Sequence, residues 1–87
     1  MFRIIVPKRV KKRLLKIPVD WQKRIFIVLK KLETEPYIGK KLEGKYSDSY
    51  SLRVWPYRII YTIKKRQLII EVIEIEHRGG AYKNPPC

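Results

Sequence analysis

Arg53 and Arg58 stand on either side of a two-residue link, Trp55-Pro56, and His77, Arg78 and Tyr82 gather around Gly79-Gly80 near the C-terminus. In this 87-residue chain these are the side chains whose types and spacing could do chemistry. Guanidinium groups bind anionic oxygens through paired hydrogen bonds. A histidine exchanges its proton near neutral pH, and a phenol can give or accept one hydrogen bond more. Residues 50–54 and 57–63 are rich in β-branched and aromatic side chains and read as two strands. A link of two residues sets Val54 opposite Tyr57 and Arg53 opposite Arg58. Tyr50, Leu52, Val54, Tyr57, Ile59, Tyr61 and Ile63 then share a core face, leaving Ser51, Arg53, Arg58, Ile60 and Thr62 on the other. Two arginines directly across a strand pair repel, and a bound anion is the simplest compensation. The competing arrangement is that they run to solvent or pair with Glu71, Glu74 or Glu76. A three-residue link would separate them onto opposite faces. A third strand, residues 68–75, leads to His77 and Arg78, and the two glycines let the chain turn sharply and return Tyr82 toward the strand end. Arg53, Arg58, Arg78, His77 and Tyr82 are therefore expected to converge on one surface.

The elements that must position them are legible in outline. Residues 2–6 form a short strand closed by Pro7, whose ring suits a helix start. Residues 8–16 hold six basic residues in nine, with Val10, Leu14 and Ile17 at helical spacing, which describes a short amphipathic helix with a cationic outer face. Pro18 ends it, and Asp20 is the expected N-cap of a second helix. Trp21, Ile25, Val28, Leu29 and Leu32 give that helix a continuous apolar stripe, closed by Glu33-Thr34-Glu35-Pro36. So short a link implies an antiparallel helical hairpin. Residues 37–49 read as a loop carrying Lys40, Lys41 and Lys45. The expected class is α+β: an N-terminal strand, a helical hairpin, then a three-stranded antiparallel meander, in the order β-α-α-β-β-β, within a single domain over residues 1–87.

Lys and Arg number 21 against 8 Asp and Glu, a net charge of +13. That excess favours polyanionic partners: nucleic acid, an acidic protein or an anionic membrane. No apolar run approaches a bilayer-spanning length, so no membrane association is expected. The opening Met1-Phe2-Arg3-Ile4-Ile5-Val6-Pro7 is too short an apolar stretch for a signal peptide, and the expected location is cytoplasmic. Cys87 is the one cysteine and His77 the one histidine, so neither an internal disulfide nor a His/Cys metal cluster is expected.

Leu42-Glu43-Gly44, Tyr50-Ser51-Leu52-Arg53-Val54, Tyr57-Arg58-Ile59-Ile60-Tyr61 and His77-Arg78 with Tyr82 together resemble the skeleton of the RelE/ParE toxin superfamily. The resemblance covers nearly the whole chain, and its Arg and Tyr positions lean toward RelE. It implies a RelE-like fold and a ribosome-dependent endoribonuclease that cuts messenger RNA in the decoding site and is silenced by an acidic antitoxin. It also implies that Arg53, Arg58 and Arg78 surround the scissile phosphate while Tyr82 takes part in proton transfer. The best-studied branch of that family carries a lysine where this chain has Ser51, and a Gly with a polar residue where it has Trp55-Pro56.

Cleavage by the RNA's own 2′-hydroxyl needs a base, cationic stabilisation of the phosphorus centre, and an acid for the leaving oxygen. On this reading the arginines supply the charge with no metal and no small-molecule cofactor. Nearby arginines favour the phenolate of Tyr82, the candidate base, and Arg78 or His77 is the candidate proton donor. Lys8, Lys11 and Lys12 on the first helix, with Lys40, Lys41 and Lys45 on the loop, are expected to hold ribosomal RNA backbone without reading sequence. The expected partners are the ribosome with its message and an acidic antitoxin that lays an amphipathic helix over basic, apolar surface. Two other readings stay open: a ParE-like inhibitor of DNA gyrase, and a catalytically degenerate RNA-binding homologue.

Overall fold

The computed structural model describes residues 1–42 and 49–77, and the elements follow in the order β1 (Arg3–Ile5), α1 (Lys8–Leu15), α2 (Val19–Leu32), β2 (Lys40–Lys41), β3 (Ser49–Val54), β4 (Tyr57–Lys64) and β5 (Ile69–His77). Among the described residues the strands form one sheet in the order β1-β5-β4-β3-β2. The two helices cover one face. Val10 and Leu14 of α1 and Ile25, Leu29 and Leu32 of α2 are buried with Ile59 and Tyr61 of β4 and Ile70, Val72 and Ile75 of β5. Full burial of each such side chain is worth about 1.5–3 kcal/mol, and this contact holds helices and sheet together. Gln22 closes the interhelical turn by donating from Nε2 to the Ile17 carbonyl at 2.7 Å.

The meander β3-β4-β5 is antiparallel as expected, and the α+β class holds. Three details differ from the sequence expectation. First, β1 joins β5 in parallel, Ile4 beside Ile70, so the sheet is mixed. Second, the N-cap of α2 is Pro18, with no side-chain cap; Asp20 lies in the first helical turn, where its charge complements the helix dipole. Third, Lys40 and Lys41 are not in a loop but pair with Ser51 and Tyr50 as an edge strand. A long-range latch sets that strand: the buried Tyr61 hydroxyl donates to the Pro36 carbonyl at 2.9 Å and accepts from the Gly39 N–H at 3.1 Å.

β5 carries the most consequential irregularity. Its buried residues are Ile70, Val72 and Ile75, so strict alternation breaks by one position. A β-bulge absorbs the extra residue: Tyr61 faces Val72 while Ile60 faces Glu74, leaving Ile73 between. Without the bulge, Glu74 and Glu76 would point into the core. With it they turn to the outer face, and Ile75 and His77 turn to the helix side.

Between β4 and β5 a 3-10 turn, Lys65–Gln67, ends at Leu68 with φ 57°, the left-handed region. A leucine there costs roughly 1–2 kcal/mol, and Leu68 is half exposed, so little packing compensates. Leu68→Asn is expected to raise stability by about 0.5–1 kcal/mol, a gain of a few degrees in Tm by thermal denaturation, because asparagine tolerates this conformation.

Candidate functional site

The hairpin link has two residues, and Arg53 stands directly opposite Arg58, Val54 opposite Tyr57. Both arginines therefore occupy the outer face of the sheet, away from the helices, and both are exposed. Arg58 Nη2 lies 3.2 Å from Glu76 Oε1, its cross-strand partner on β5. This pair offsets part of the repulsion between the two guanidinium groups. No carboxylate lies within ion-pair distance of Arg53 among the described residues. At about half exposure the Arg58–Glu76 pair contributes ~1 kcal/mol or less to stability, so its interest lies in placement.

Two concavities meet at Arg58. One, of about 430 Å³, is lined by Arg9, Leu42, Arg58, Ile60, Ile73, Glu74 and Glu76. The other, of about 440 Å³, is lined by Ile38, Lys40, Leu42, Ser51, Leu52, Arg53 and Arg58. Together they make a shallow trough across the outer face, with Leu42 and Ile60 giving it an apolar floor. Lys40 sits directly across from Ser51, so β2 brings a cation onto the arginine face. The Ser49 and Thr62 hydroxyls are 3.0 Å apart and satisfy each other further along the same strands.

Helix α1 closes the other side of the trough. β1 ends opposite Glu71, and beyond it Arg9 donates to the carbonyl of the bulge residue Ile73 at 3.1 Å. Arg9 and Arg13 approach Glu74 Oε1 at 3.9 and 3.6 Å, and the Ile75 N–H donates to the same oxygen at 3.3 Å. These two arginines were read from sequence only as part of a basic helix. Their i, i+4 spacing was the available signal, since it puts both on one flank.

Lys8, Lys11 and Lys12 are exposed on the remaining surface of α1, and Lys41 is exposed on β2. Arg78, Tyr82 and Lys45 lie outside the described residues. His77 does not join Arg53 and Arg58. Its register partner is Tyr57, on the helix side of the sheet, and the two rings meet edge to face at 5.1 Å. Tyr57 in turn meets Trp21 at 6.2 Å, and Arg24 lies over the Trp21 ring at 4.8 Å. The expected convergence of His77 with the arginines fails because alternation along β5 sends adjacent Glu76 and His77 to opposite faces.

The site is thus an outer-face trough with two directly opposed arginines, a lysine beside them, and one carboxylate held by Arg58. Such a surface can grip a phosphodiester by charge-assisted hydrogen bonds. Comparison with known proteins gives it a context. Residues 4–82 match the family model described as ParE toxin of type II toxin-antitoxin system, parDE. The chain is 32% identical over 89 residues to RelE1 of Methanocaldococcus jannaschii, across 97% of this chain and 98% of that protein. Among solved structures it is similar to the archaeal RelE–RelB complex from Pyrococcus horikoshii OT3, with TM-score 0.80 and 30% identity over 92% of this chain and 98% of that one. The toxin–antitoxin complex RelBE2 from Mycobacterium tuberculosis shares the fold, with TM-score 0.81 and 22% identity over 88% of this chain and 98% of that one. The chain belongs to the ParE/RelE family of toxins of type II toxin–antitoxin systems.

Proposed function

We propose that this toxin is a ribosome-dependent endoribonuclease that cleaves messenger RNA by attack of the 2′-hydroxyl on the adjacent phosphate. The observation that carries the reading is the direct opposition of Arg53 and Arg58 on an exposed face, an arrangement that costs repulsion unless an anion sits between them. Arg53 and Arg58 hold the non-bridging oxygens, Arg78 joins them, and Tyr82 takes part in proton transfer. Arg78 follows directly on the last described residue of β5, the strand that carries Glu76. Lys40, opposite Ser51, supplies a further cation to the same phosphate path. The lysines of α1 and β2, with Lys45, hold ribosomal RNA backbone by charge, and the ribosome supplies the orientation that such modest groups need. The net charge of +13 also supports an acidic antitoxin as the silencing partner; relatives solved as RelE–RelB complexes favour the same pairing.

A second reading has one observation in its favour: the matching family model is described by its ParE members. A gyrase inhibitor would act by docking and would not need Arg78. Primer-extension mapping of message in a translation reaction, run beside a gyrase supercoiling assay, separates the two. Discrete cleavage by wild type that falls by about 10²-fold or more in Arg78→Ala is the expected result. Intact message with supercoiling blocked would replace the nuclease by the gyrase reading.

A further inference from the structure

We infer that Glu76 is the general base of the proposed cleavage, an assignment that rests on the nuclease reading and deepens it. Three observations place Glu76 in that role. Its Oε1 lies 3.2 Å from Arg58 Nη2, so a phosphate gripped by Arg58 has this carboxylate as an immediate neighbour. The bulge in β5 is what brings Glu76 to the outer face; a regular strand of the same sequence would bury it. Finally, the other carboxylates of β5 are engaged elsewhere: Glu74 by Arg9, Arg13 and the Ile75 N–H, and Glu71 by Lys64 at 3.2 Å.

The chemistry favours a carboxylate over a phenol for this step. Carboxylic acids ordinarily lose their proton near pH 4 and phenols near pH 10, so at neutral pH the first is already a base and the second still an acid (pKa about 4.3 and about 10). Arg58 has five N–H donors and holds Glu76 with one terminal nitrogen, which leaves others for phosphate oxygen. As the 2′-oxygen bonds to phosphorus, its proton passes to the Glu76 carboxylate. The bond from phosphorus to the 5′-oxygen breaks, and that oxygen takes a proton from water. A 2′,3′-cyclic phosphate and a 5′-hydroxyl result, and the hydroxide so formed takes the proton back from Glu76, which returns the carboxylate to its starting form.

The test uses purified ribosomes programmed with message and the full chain. Glu76→Gln, which keeps the size of the side chain and an oxygen for Arg58, is expected to slow cleavage by about 10²–10⁴-fold. The charged groups that share a concavity with Glu76 are Arg58 on β4, Glu74 on β5 and Arg9 on α1. Because loss of the ion pair with Arg58 would also slow cleavage, the deciding readout is chemical rescue: imidazole, a neutral base that cannot stand in for an anion beside Arg58, is expected to restore part of the activity of Glu76→Ala. Cleavage by Glu76→Gln within about 3-fold of wild type, or Glu76→Ala left unmoved by imidazole, overturns the assignment while the nuclease stands. A wild-type chain that leaves message intact removes the assignment together with the reading beneath it.

Discussion

Arg58→Ala is expected to lower the rate of message cleavage on programmed ribosomes by about 10²–10³-fold, with little loss of folded stability. Arg58 is the charged residue that lines both concavities of the outer face, with Leu42 beside it, so its removal takes the cation from the middle of the trough. A donor aimed at charge that develops in the transition state is worth several kcal/mol there, roughly 2.7–4 by analogy with the loss of one oxyanion-hole donor. In the ground state the same side chain is half exposed and its pair with Glu76 contributes ~1 kcal/mol or less. Single-turnover cleavage compared with thermal denaturation checks the split. A variant that loses both in step would mean that Arg58 serves the fold. Arg58→Lys keeps the charge but not the planar fork, and is expected to recover only part of the rate.

Gly39→Ala is expected to destabilise the protein by about 2–3 kcal/mol, a drop in Tm of roughly 10–20 °C. A Cβ at this position would lie 2.5 Å from the Tyr61 hydroxyl and 3.0 Å from the Ser51 carbonyl. Neither neighbour can give way cheaply, because Tyr61 is fully buried, hydrogen-bonded at both Gly39 and Pro36, and stacked on Tyr50 at 5.7 Å. Tyr61→Phe is expected to cost about 1–3 kcal/mol by leaving those two backbone groups unsatisfied. The double variant should cost less than the sum, since both changes break one latch. Burial holds the Tyr61 hydroxyl above its ordinary pKa of 10.0, against the lowering effect of the Gly39 hydrogen bond, and Tyr50 adds to the rise. Its contribution is complete below about pH 10 and declines as pH climbs through the raised folded value, because the unfolded chain releases this proton first. Tyr61→Phe should abolish that part of the alkaline loss in urea denaturation measured across pH. The latch also serves the site, because it fastens Lys40 and Leu42 to the edge of the arginine face.

The placement of Arg53 and Arg58 was legible from sequence because two local facts determine it: alternation of apolar residues on each strand, and an even link between them. The helices were legible for the same reason, in the i, i+4 spacing of Ile25, Leu29 and their neighbours. What escaped was non-local. β2 exists because a tyrosine 22 residues away binds the backbone of Gly39, which no window of sequence reveals. β1 is three residues long, too short to declare whether its partner runs parallel. The bulge at Ile73 did leave a trace, in the i, i+3 spacing of Val72 and Ile75, but it could not be told from a strand end. That one displaced residue decides the site. It sends Glu74 and Glu76 to the trough and His77 to the Tyr57 ring on the helix side, reversing the expectation that the histidine would stand with the arginines.

The account stands or falls on a phosphodiester bound between arginines of adjacent strands and opened by its own sugar. The most direct measurement is the chemistry of the ends made when the wild-type chain meets message on programmed ribosomes. A 2′,3′-cyclic phosphate upstream and a 5′-hydroxyl downstream, both vanishing in Arg58→Ala, is the result expected. Ends bearing a 3′-hydroxyl and a 5′-phosphate, or a message left whole, would contradict it.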